Sequence, residues 1–202
     1  MPGENRYFAV RNQYSNLRES FEKRAGLQHA TASRKPTEFC IFLSHRSTDK
    51  AAVIQIGNYI MSKGIDVYID IDDPNLQRAV AANDHKAITA SIELGIANST
   101  DLLAYLTPNT ATSQWVPYEI GFAKRNDNHL SAMKSKDLTL LPSYLEIVRR
   151  ITGIASLNAY LRDVLSRQQT AYGSINLTKI LISEHLKQAS AGSELSAYLA
   201  SQ

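Results

Sequence analysis

Residues 38–44, EFCIFLS, form a nearly continuous apolar run. Such a run is typical of a strand that is buried on both faces of a parallel sheet. Two further runs predict strands later in the chain, IDVYID at 65–70 and DLLAYLT at 101–107. Helical segments of about a dozen residues separate the predicted strands, which indicates crossover connections and a parallel sheet. The predicted fold class is therefore α/β, a flavodoxin-like doubly wound parallel sheet.

Hydrophobic periodicity and turn residues predict the remaining elements. Helices are expected over 49–64, 86–99, 113–127, 157–169 and 177–188. A long polar loop is expected over 71–85, and a fourth strand, DLTLLPS, over 137–143. Residues 144–151, YLEIVRRI, fit either a short fifth strand or a helix. Sites in such a fold are expected where the parallel strands end, at their carboxyl edge.

The chain divides into three predicted parts. A helix is expected over residues 5–26, because apolar side chains recur there at steps of three and four. A small and polar linker that contains Pro36 follows this helix. We therefore predict an N-terminal helical arm and linker at 1–36, the α/β domain at 37–150, and a C-terminal helical extension at 151–202.

Composition excludes several functional classes. A formal net charge of +3 over 202 residues, with no long basic run, does not indicate a nucleic-acid partner. The N-terminus lacks the order of a signal peptide, and no apolar run has the length of a membrane span. The single cysteine, Cys40, lies in a predicted buried strand and suits a reducing compartment. We expect a cytoplasmic protein with neither a nucleic-acid nor a membrane partner.

Several familiar binding motifs are absent from the sequence. It contains neither a G-x-G-x-x-G fingerprint after the first strand nor a G-x-x-x-x-G-K-[ST] loop, so the fold class alone predicts no such nucleotide site. The five histidines are scattered, and none lies at ligand spacing from a cysteine or another histidine. The sequence therefore predicts no metal site.

Polar and aromatic side chains instead follow the ends of three predicted strands. Ser44 ends the first strand, Asp70 ends the second, and the third leads into Trp115 and Glu119. Residues four apart share one helix face, so the tryptophan ring and the carboxylate can face one ligand together. The simpler alternatives are that Trp115 packs in the core and that Glu119 interacts with the helix dipole. By the same reasoning Ser44 is an ordinary helix cap and Asp70 an ordinary turn residue.

Three stretches resemble the TIR domain family. They are FLSHRSTDK at 42–50, GIDVYIDIDDP at 64–74 and SQWVPYEIGFA at 113–123, and the resemblance extends over about half of the chain. It implies a TIR fold and, from the W-x-x-x-E pattern of NAD-degrading members, a catalytic role for Glu119. The residues expected to bind substrate are Phe42, Ser44, Arg46, Asp70, Arg78 and Trp115, with the two arginines as phosphate partners. The loop after the second strand is alanine-rich, unlike the glycine-rich loop of many animal and plant members.

The compact layout is similar to stand-alone bacterial TIR proteins of anti-phage defence, the Thoeris type in particular. This resemblance implies an enzyme that cleaves NAD as its substrate and needs no cofactor or metal. It also implies a cyclic or linked ADP-ribose product, a separately encoded effector that reads this product, and a homo-oligomer formed through TIR contacts.

The chemistry agrees with this expectation. Cleavage of the nicotinamide–ribose bond passes through an oxocarbenium-like state, which one carboxylate can stabilise. Nicotinamide leaves as a neutral base from a cationic precursor, so no general acid is required. Two alternatives remain at this point: a non-catalytic TIR adaptor that acts by homotypic assembly, and an N-glycoside transferase similar to nucleoside deoxyribosyltransferases. Glu119 in its W-x-x-x-E context favours an enzyme over an adaptor.

Overall fold

The computed structural model describes residues 39–70, 74–172 and 195–197. The predicted helices at 5–26 and 177–188 lie outside these ranges. The side chains of 74, 75, 111, 169, 171 and 172 are also outside the description.

Within the described residues, five parallel strands form one sheet in the order β2-β1-β3-β4-β5. Their bounds are β1 Cys40–Ser44, β2 Asp66–Tyr68, β3 Asp101–Leu106, β4 His129–Lys134 and β5 Arg149–Ile151. The first three predicted strands are thus neighbours, with β1 between β2 and β3. The carboxyl ends of these three strands therefore meet at one edge of the sheet, as the sequence predicted.

Helices cover both faces of this sheet. Their bounds are α1 Lys50–Ser62, α2 Pro74–Ala81, α3 His85–Ala97, α4 Trp115–Arg125 and α5 Ile154–Tyr172. Apolar residues of α1 and α5 form a core on one face, and those of α2, α3 and α4 form a core on the other. Covering both faces of a parallel sheet in this way defines a doubly wound α/β fold, so the predicted fold class is confirmed.

The β1 strand shows how the sequence divides between the two cores. All five of its residues are buried. Ile41 and Leu43 pack toward α1 and α5, whereas Cys40 and Phe42 pack toward α2, α3 and α4. Successive side chains point to opposite faces of a strand, so a sheet covered on both faces requires apolar residues at consecutive positions. This requirement explains the continuous apolar run from which the strand was predicted.

The crossover connections change direction across the sheet between β1 and β3. The connection after β1 runs through α1 to β2 at one side, and the connection after β3 runs through α4 to β4 at the other. Two connections that diverge in this way mark the switch point of a doubly wound fold, at the carboxyl ends of β1 and β3, where ligands of such folds bind. The fold therefore places the loops that follow Ser44 and Leu106 beside each other.

The polar loop predicted over 71–85 is wrong in part, because Pro74–Ala81 forms the helix α2. Proline fits the first turn of a helix, and the alanines and leucine that follow are strong helix formers. Leu76 and Ala79 are buried in the core on the α3 side. The asparagine and proline at the start of this segment favoured a loop, but burial of these two apolar side chains favours a helix.

The fourth strand predicted at 137–143 is also wrong. The structure places β4 at His129–Lys134, paired in register with β3, and Leu140 in the predicted stretch is 82% exposed. The sequence of β4, HLSAMK, alternates small, polar and apolar residues, and only its three central residues are buried. A search for continuous apolar runs therefore selected the leucine-rich loop instead.

The segment at 144–151, predicted as a strand or a helix, ends in the strand β5, after a short 3₁₀ turn at Ser143–Leu145. The helix predicted at 157–169 is confirmed within α5. The domain division at 36 and 150 stays a prediction, although residue 150 lies within β5 and α5 contributes Leu157, Leu161 and Val164 to the sheet core. Among the described residues, no helix combines the length and apolar character needed to cross a membrane.

Two helical glycines provide a matched test of core packing. A Cβ atom at Gly95 of α3 would lie 2.6 Å from the Tyr68 ring and 3.1 Å from the Phe42 ring, whereas a Cβ at Gly121 of α4 would meet no heavy atom within 4 Å beyond its chain neighbours and the backbone of its own helix. We expect Gly95→Ala to lower the free energy of unfolding by about 1 kcal/mol or more through overpacking. Gly121→Ala should raise it by up to about 1 kcal/mol through helix propensity. Urea unfolding of the two variants measures both changes, and equal stability of the two would contradict the packing.

Candidate active site

The carboxyl group of Glu119 lies at the carboxyl edge of the sheet, beneath the surface. Glu119 is in the second turn of α4, on the helix face that also buries Val116, Ile120 and Ala123, and only 4% of it is exposed. The Ser44 hydroxyl, at the end of β1, donates a 2.5 Å hydrogen bond to Oε2 of Glu119. Ser44 is itself buried and does not cap a helix, so the simple capping interpretation does not hold.

Burial determines the protonation state of this carboxyl group. The pKa of Glu119 is raised from 4.5 to about 8, and desolvation by burial is the largest cause. The hydrogen bond from Ser44 lowers the pKa, because it stabilises the carboxylate, and the nearby charge of Asp70 raises it again. A buried side chain whose pKa lies near neutrality, with a specific charged neighbour, is typical of a functional site.

Asp70 and His45 lie next to each other on the β2 side of the candidate site. Asp70 follows β2, and its side chain is 30% exposed, more than that of Glu119. The His45 side chain is 4% exposed, and its Nε2 atom lies 3.8 Å from Oδ1 of Asp70. The Nδ1 atom of His45 lies 3.0 Å from the carbonyl oxygen of Leu43. Two carboxyl groups and an imidazole thus cluster near the ends of β1 and β2.

Trp115 begins α4, one turn before Glu119. Its indole is half-buried against the apolar core, and the Tyr118 ring meets it edge to face at a centroid distance of 6.0 Å. The Tyr118 hydroxyl in turn donates a hydrogen bond to Glu93 of α3. Trp115 therefore packs partly on the core and partly at the surface, close in sequence and space to the buried carboxyl group.

Arg46 links the loops that follow β1 and β3. Its guanidinium donates to the carbonyl oxygen of Asn109 at 2.6 Å and to the Thr112 hydroxyl. Asp49 completes the link, since its carboxylate accepts a hydrogen bond from the Thr107 hydroxyl at 2.8 Å and one from the Asn109 amide at 3.3 Å. Arg46 thus holds the loop before α4 in place. The phosphate-binding role inferred for Arg46 from the resemblance stays a prediction.

Phe42 lies in the core below the site. It is 2% exposed and stacks on Tyr68 with a centroid distance of 5.2 Å. Phe42 shares its strand face with Ser44, so it supports the floor on which the Ser44–Glu119 pair rests. Its predicted contact with substrate stays a prediction, as does that of Arg78, which lies on the exposed side of α2.

Of the seven residues predicted from sequence, Ser44 and Glu119 are in direct contact, and Asp70 is close enough to act on the charge of Glu119. Sequence reasoning missed His45, Asp49 and Thr107. His45 was set aside because no second histidine or cysteine lies at ligand spacing, yet its position between Ser44 and Arg46 at a strand end was a usable signal. No group of three or more metal-ligating side chains occurs in the part of the chain that the structure describes.

The fold and the site together define the class of protein. A doubly wound parallel sheet places a buried carboxyl group beside a serine at its switch point, with an aromatic side chain one helical turn away. Residues 41–169 match the profile of the TIR domain, and the chain belongs to the TIR domain family.

Two curated relatives are similar to this chain. The NAD(+) hydrolase TirS of Staphylococcus aureus (strain MSSA476) is 26% identical over 139 residues, which cover 68% of this chain and 44% of that protein. The probable 3′ cyclic ADP-D-ribose synthase ThsB′ of Bacillus cereus (strain MSX-D12) is 30% identical over 83 residues, 41% of this chain and 42% of that protein. The similarity thus spans less than half of the length of each relative.

The raised pKa of Glu119 predicts how stability depends on pH. The folded protein holds a proton on this carboxyl group up to about pH 8, whereas the unfolded chain loses it near pH 4.5. Between these two values unfolding releases a proton, so stability falls as pH rises. We expect Glu119→Gln to have nearly the stability of the wild type at pH 4 and to become the more stable protein as pH rises to 8. Thermal or urea unfolding across this range measures the difference.

Ser44→Ala provides a second test of how the ionisation of Glu119 affects stability. It removes the hydrogen bond that lowers the pKa of Glu119, so the range in which stability falls should extend to higher pH. A constant difference between wild type and Glu119→Gln from pH 4 to 9 would show that Glu119 has an ordinary carboxyl pKa in the folded protein.

Proposed function

We propose that this TIR domain cleaves NAD between nicotinamide and ribose, with Glu119 as the catalytic carboxylate. One observation carries the proposal: a buried glutamate, hydrogen-bonded to Ser44, lies at the carboxyl edge of the sheet, at the switch point where doubly wound folds bind their ligands. Its position in the W-x-x-x-E pattern and the similarity to an NAD(+) hydrolase and to a cyclic ADP-ribose synthase support the same chemistry.

The proposed mechanism uses the charge of Glu119. As the bond to nicotinamide lengthens, positive charge moves from the ring to the ribose, and a carboxylate beside the sugar stabilises it. The oxidised nicotinamide ring is cationic, and a nearby cation favours the ionised form of a carboxyl group. Binding of NAD therefore lowers the pKa of Glu119 from about 8 and produces the anion where it is needed.

Other residues of the site are proposed to position the substrate. Trp115, whose ring is half-buried at the start of α4, stacks on the substrate and excludes water. Asp70, the more exposed of the two carboxylates, accepts hydrogen bonds from ribose hydroxyls. Ser44 orients Glu119. Phe42, Arg46 and Arg78 are proposed as further substrate-binding residues, the arginines toward the phosphates.

Two product types follow from this chemistry. We favour a cyclic or linked ADP-ribose that is released as a messenger, because the relative ThsB′ is named as a synthase of such a product. Simple hydrolysis to ADP-ribose is the second candidate, favoured by the similarity to the NAD(+) hydrolase TirS. With the messenger we propose a separately encoded effector, a cytoplasmic location, a role in anti-phage defence, and self-association through TIR contacts.

Glu119→Gln tests the proposed role directly. It keeps the size of the side chain and removes its charge, so nicotinamide release from NAD should fall to less than about one hundredth of the wild-type rate. In the wild type, kcat/KM should rise with pH up to about 8, because only the ionised carboxyl group is active. Glu146→Gln, which alters an exposed carboxylate between the 3₁₀ turn and β5, is the control and should retain full activity. Near-normal turnover of Glu119→Gln would refute the proposal.

The nature of the product requires a separate experiment. After complete reaction of NAD, the protein is removed by filtration and the small molecules are analysed by mass spectrometry and chromatography. We expect a product whose mass is that of NAD without its nicotinamide group and without added water. This is the mass of a cyclic ADP-ribose. If the fully active enzyme yields only nicotinamide and linear ADP-ribose, hydrolysis is the function and the messenger proposal is refuted.

A further inference from the structure

Tyr118 stands between Trp115 and Glu119 in the sequence of α4 and has no role in the mechanism proposed above. Trp115 comes three residues before Tyr118 and four before Glu119, so its indole neighbours both side chains on the helix surface. Glu119 is buried, whereas 37% of Tyr118 is exposed. Of these two neighbours of the indole, the carboxyl group therefore faces the core and the phenol faces the surface.

Three contacts hold the Tyr118 side chain in place. The Trp115 and Tyr118 rings meet edge to face, with centroids 6.0 Å apart and an interplanar angle of 88°. One turn later in the helix, the Phe122 ring stacks on Tyr118 at a centroid distance of 6.4 Å. The Tyr118 hydroxyl donates a hydrogen bond to Oε1 of Glu93, which is half-buried on α3. Because these contacts act at different points of the side chain, they fix both its position and the plane of its ring.

Trp115 depends on such a neighbour because it is the first residue of α4. Helical side chains lean toward the N-terminus of their helix, and most of them cover the preceding turn. A side chain at the first position extends beyond the helix and has no preceding turn to cover. The indole packs in part against the core and is otherwise open to solvent. The edge of Tyr118 is therefore the support that α4 itself gives to this ring.

We propose that Tyr118 is a positioning residue of this site: anchored by Glu93, it holds the Trp115 indole in the orientation in which the indole stacks on a flat ring of NAD. This inference rests on the proposed function. Tyr118 acts only through Trp115 and does not touch the reacting atoms. Stacking of this kind stabilises the bound substrate and the transition state alike, so its loss raises KM and leaves kcat nearly unchanged.

Substitutions of Tyr118 separate its ring from its hydroxyl. Tyr118→Leu removes the ring, and we expect it to raise KM for NAD about two- to tenfold, the range that an edge-to-face pair contributes. Tyr118→Phe keeps the ring and should restore most of the affinity. The matched control is Tyr59→Phe, which removes a tyrosine hydroxyl that donates to Asn158 at 2.6 Å on the opposite face of the sheet. This control should leave KM and kcat unchanged.

The fluorescence of Trp115 provides a measurement that does not require turnover. Trp115 is the only tryptophan of the chain, so its emission reports this one ring. We expect Tyr118→Leu to lower the time-resolved anisotropy of the indole and to increase its quenching by acrylamide, whereas Tyr59→Phe changes neither. Titration of NAD into the Glu119→Gln protein gives Kd from the same signal. In that background Tyr118→Leu should raise Kd by the same factor as KM.

A combined variant shows whether Tyr118 acts through Trp115. Trp115→Leu alone should raise KM more than Tyr118→Leu does, since it removes the stacking ring itself. If Tyr118 acts only through that ring, Tyr118→Leu causes no further loss in the Trp115→Leu background. Effects of the two substitutions that multiply in KM would show that they are independent, and the inference would be wrong.

The remaining outcomes keep this inference apart from the proposed function. A wild type that does not cleave NAD refutes the proposed function, and the fluorescence of Trp115 then still tests the support that Tyr118 gives it. Unchanged anisotropy and quenching in Tyr118→Leu overturn the inference. A more mobile indole with unchanged KM and Kd also overturns it, because Tyr118 then has only a packing role. A fall in kcat at unchanged KM contradicts it as well, since the effect would then be on Glu119 and not on Trp115.

Discussion

The hydrogen bond from Ser44 to Glu119 joins the two elements on which the site depends. Ser44 ends the central β1 strand, and Glu119 lies in α4, the helix that follows β3. This bond can form only if β1 and β3 are neighbours in parallel register and α4 packs on the same face as the Ser44 side chain. The strand order, the register of Ser44 opposite Ala104 and the apolar face of α4 satisfy these conditions. The site is thus a direct consequence of the way the sheet is wound.

Burial of this carboxyl group opposes stability. Each unit by which its pKa is raised corresponds to roughly 1.4 kcal/mol that favours the neutral form over the charged one. The two cores offset this cost, and the loops around the site are held by polar contacts of their own: Arg46 and Asp49 of the β1 loop bind Thr107, Asn109 and Thr112 of the β3 loop. A rigid frame of this kind keeps a buried carboxyl group in an environment that it would not adopt in a freely relaxing loop.

The sequence predicted the parts of this structure that depend on continuous apolar burial. Strands β1, β2 and β3 were found because a sheet covered on both faces requires apolar residues at consecutive positions. The prediction failed at β4, where Ser131 and Ala132 are buried in place of large apolar residues. It also failed at α2, where Leu76 and Ala79 are the only buried residues among the described side chains of the helix. Ser44 and Glu119 were predicted as site residues. Their mutual hydrogen bond was not, because it joins residues 75 positions apart. His45 was missed because the carboxylate that it faces, Asp70, follows a different strand.

A neutral, buried glutamate suits a substrate that carries its own positive charge. While the site is empty, the protonated group avoids the cost of an isolated buried anion. A cationic ring near Glu119 lowers its pKa, and by linkage the loss of that proton strengthens binding of the cation. On the proposed function, the same coupling distinguishes the oxidised dinucleotide, whose nicotinamide ring is cationic, from the reduced form, whose ring is neutral and cannot favour the anion. The desolvation that costs the fold stability would then contribute to recognition of the redox state of the substrate, without a separate residue for that purpose.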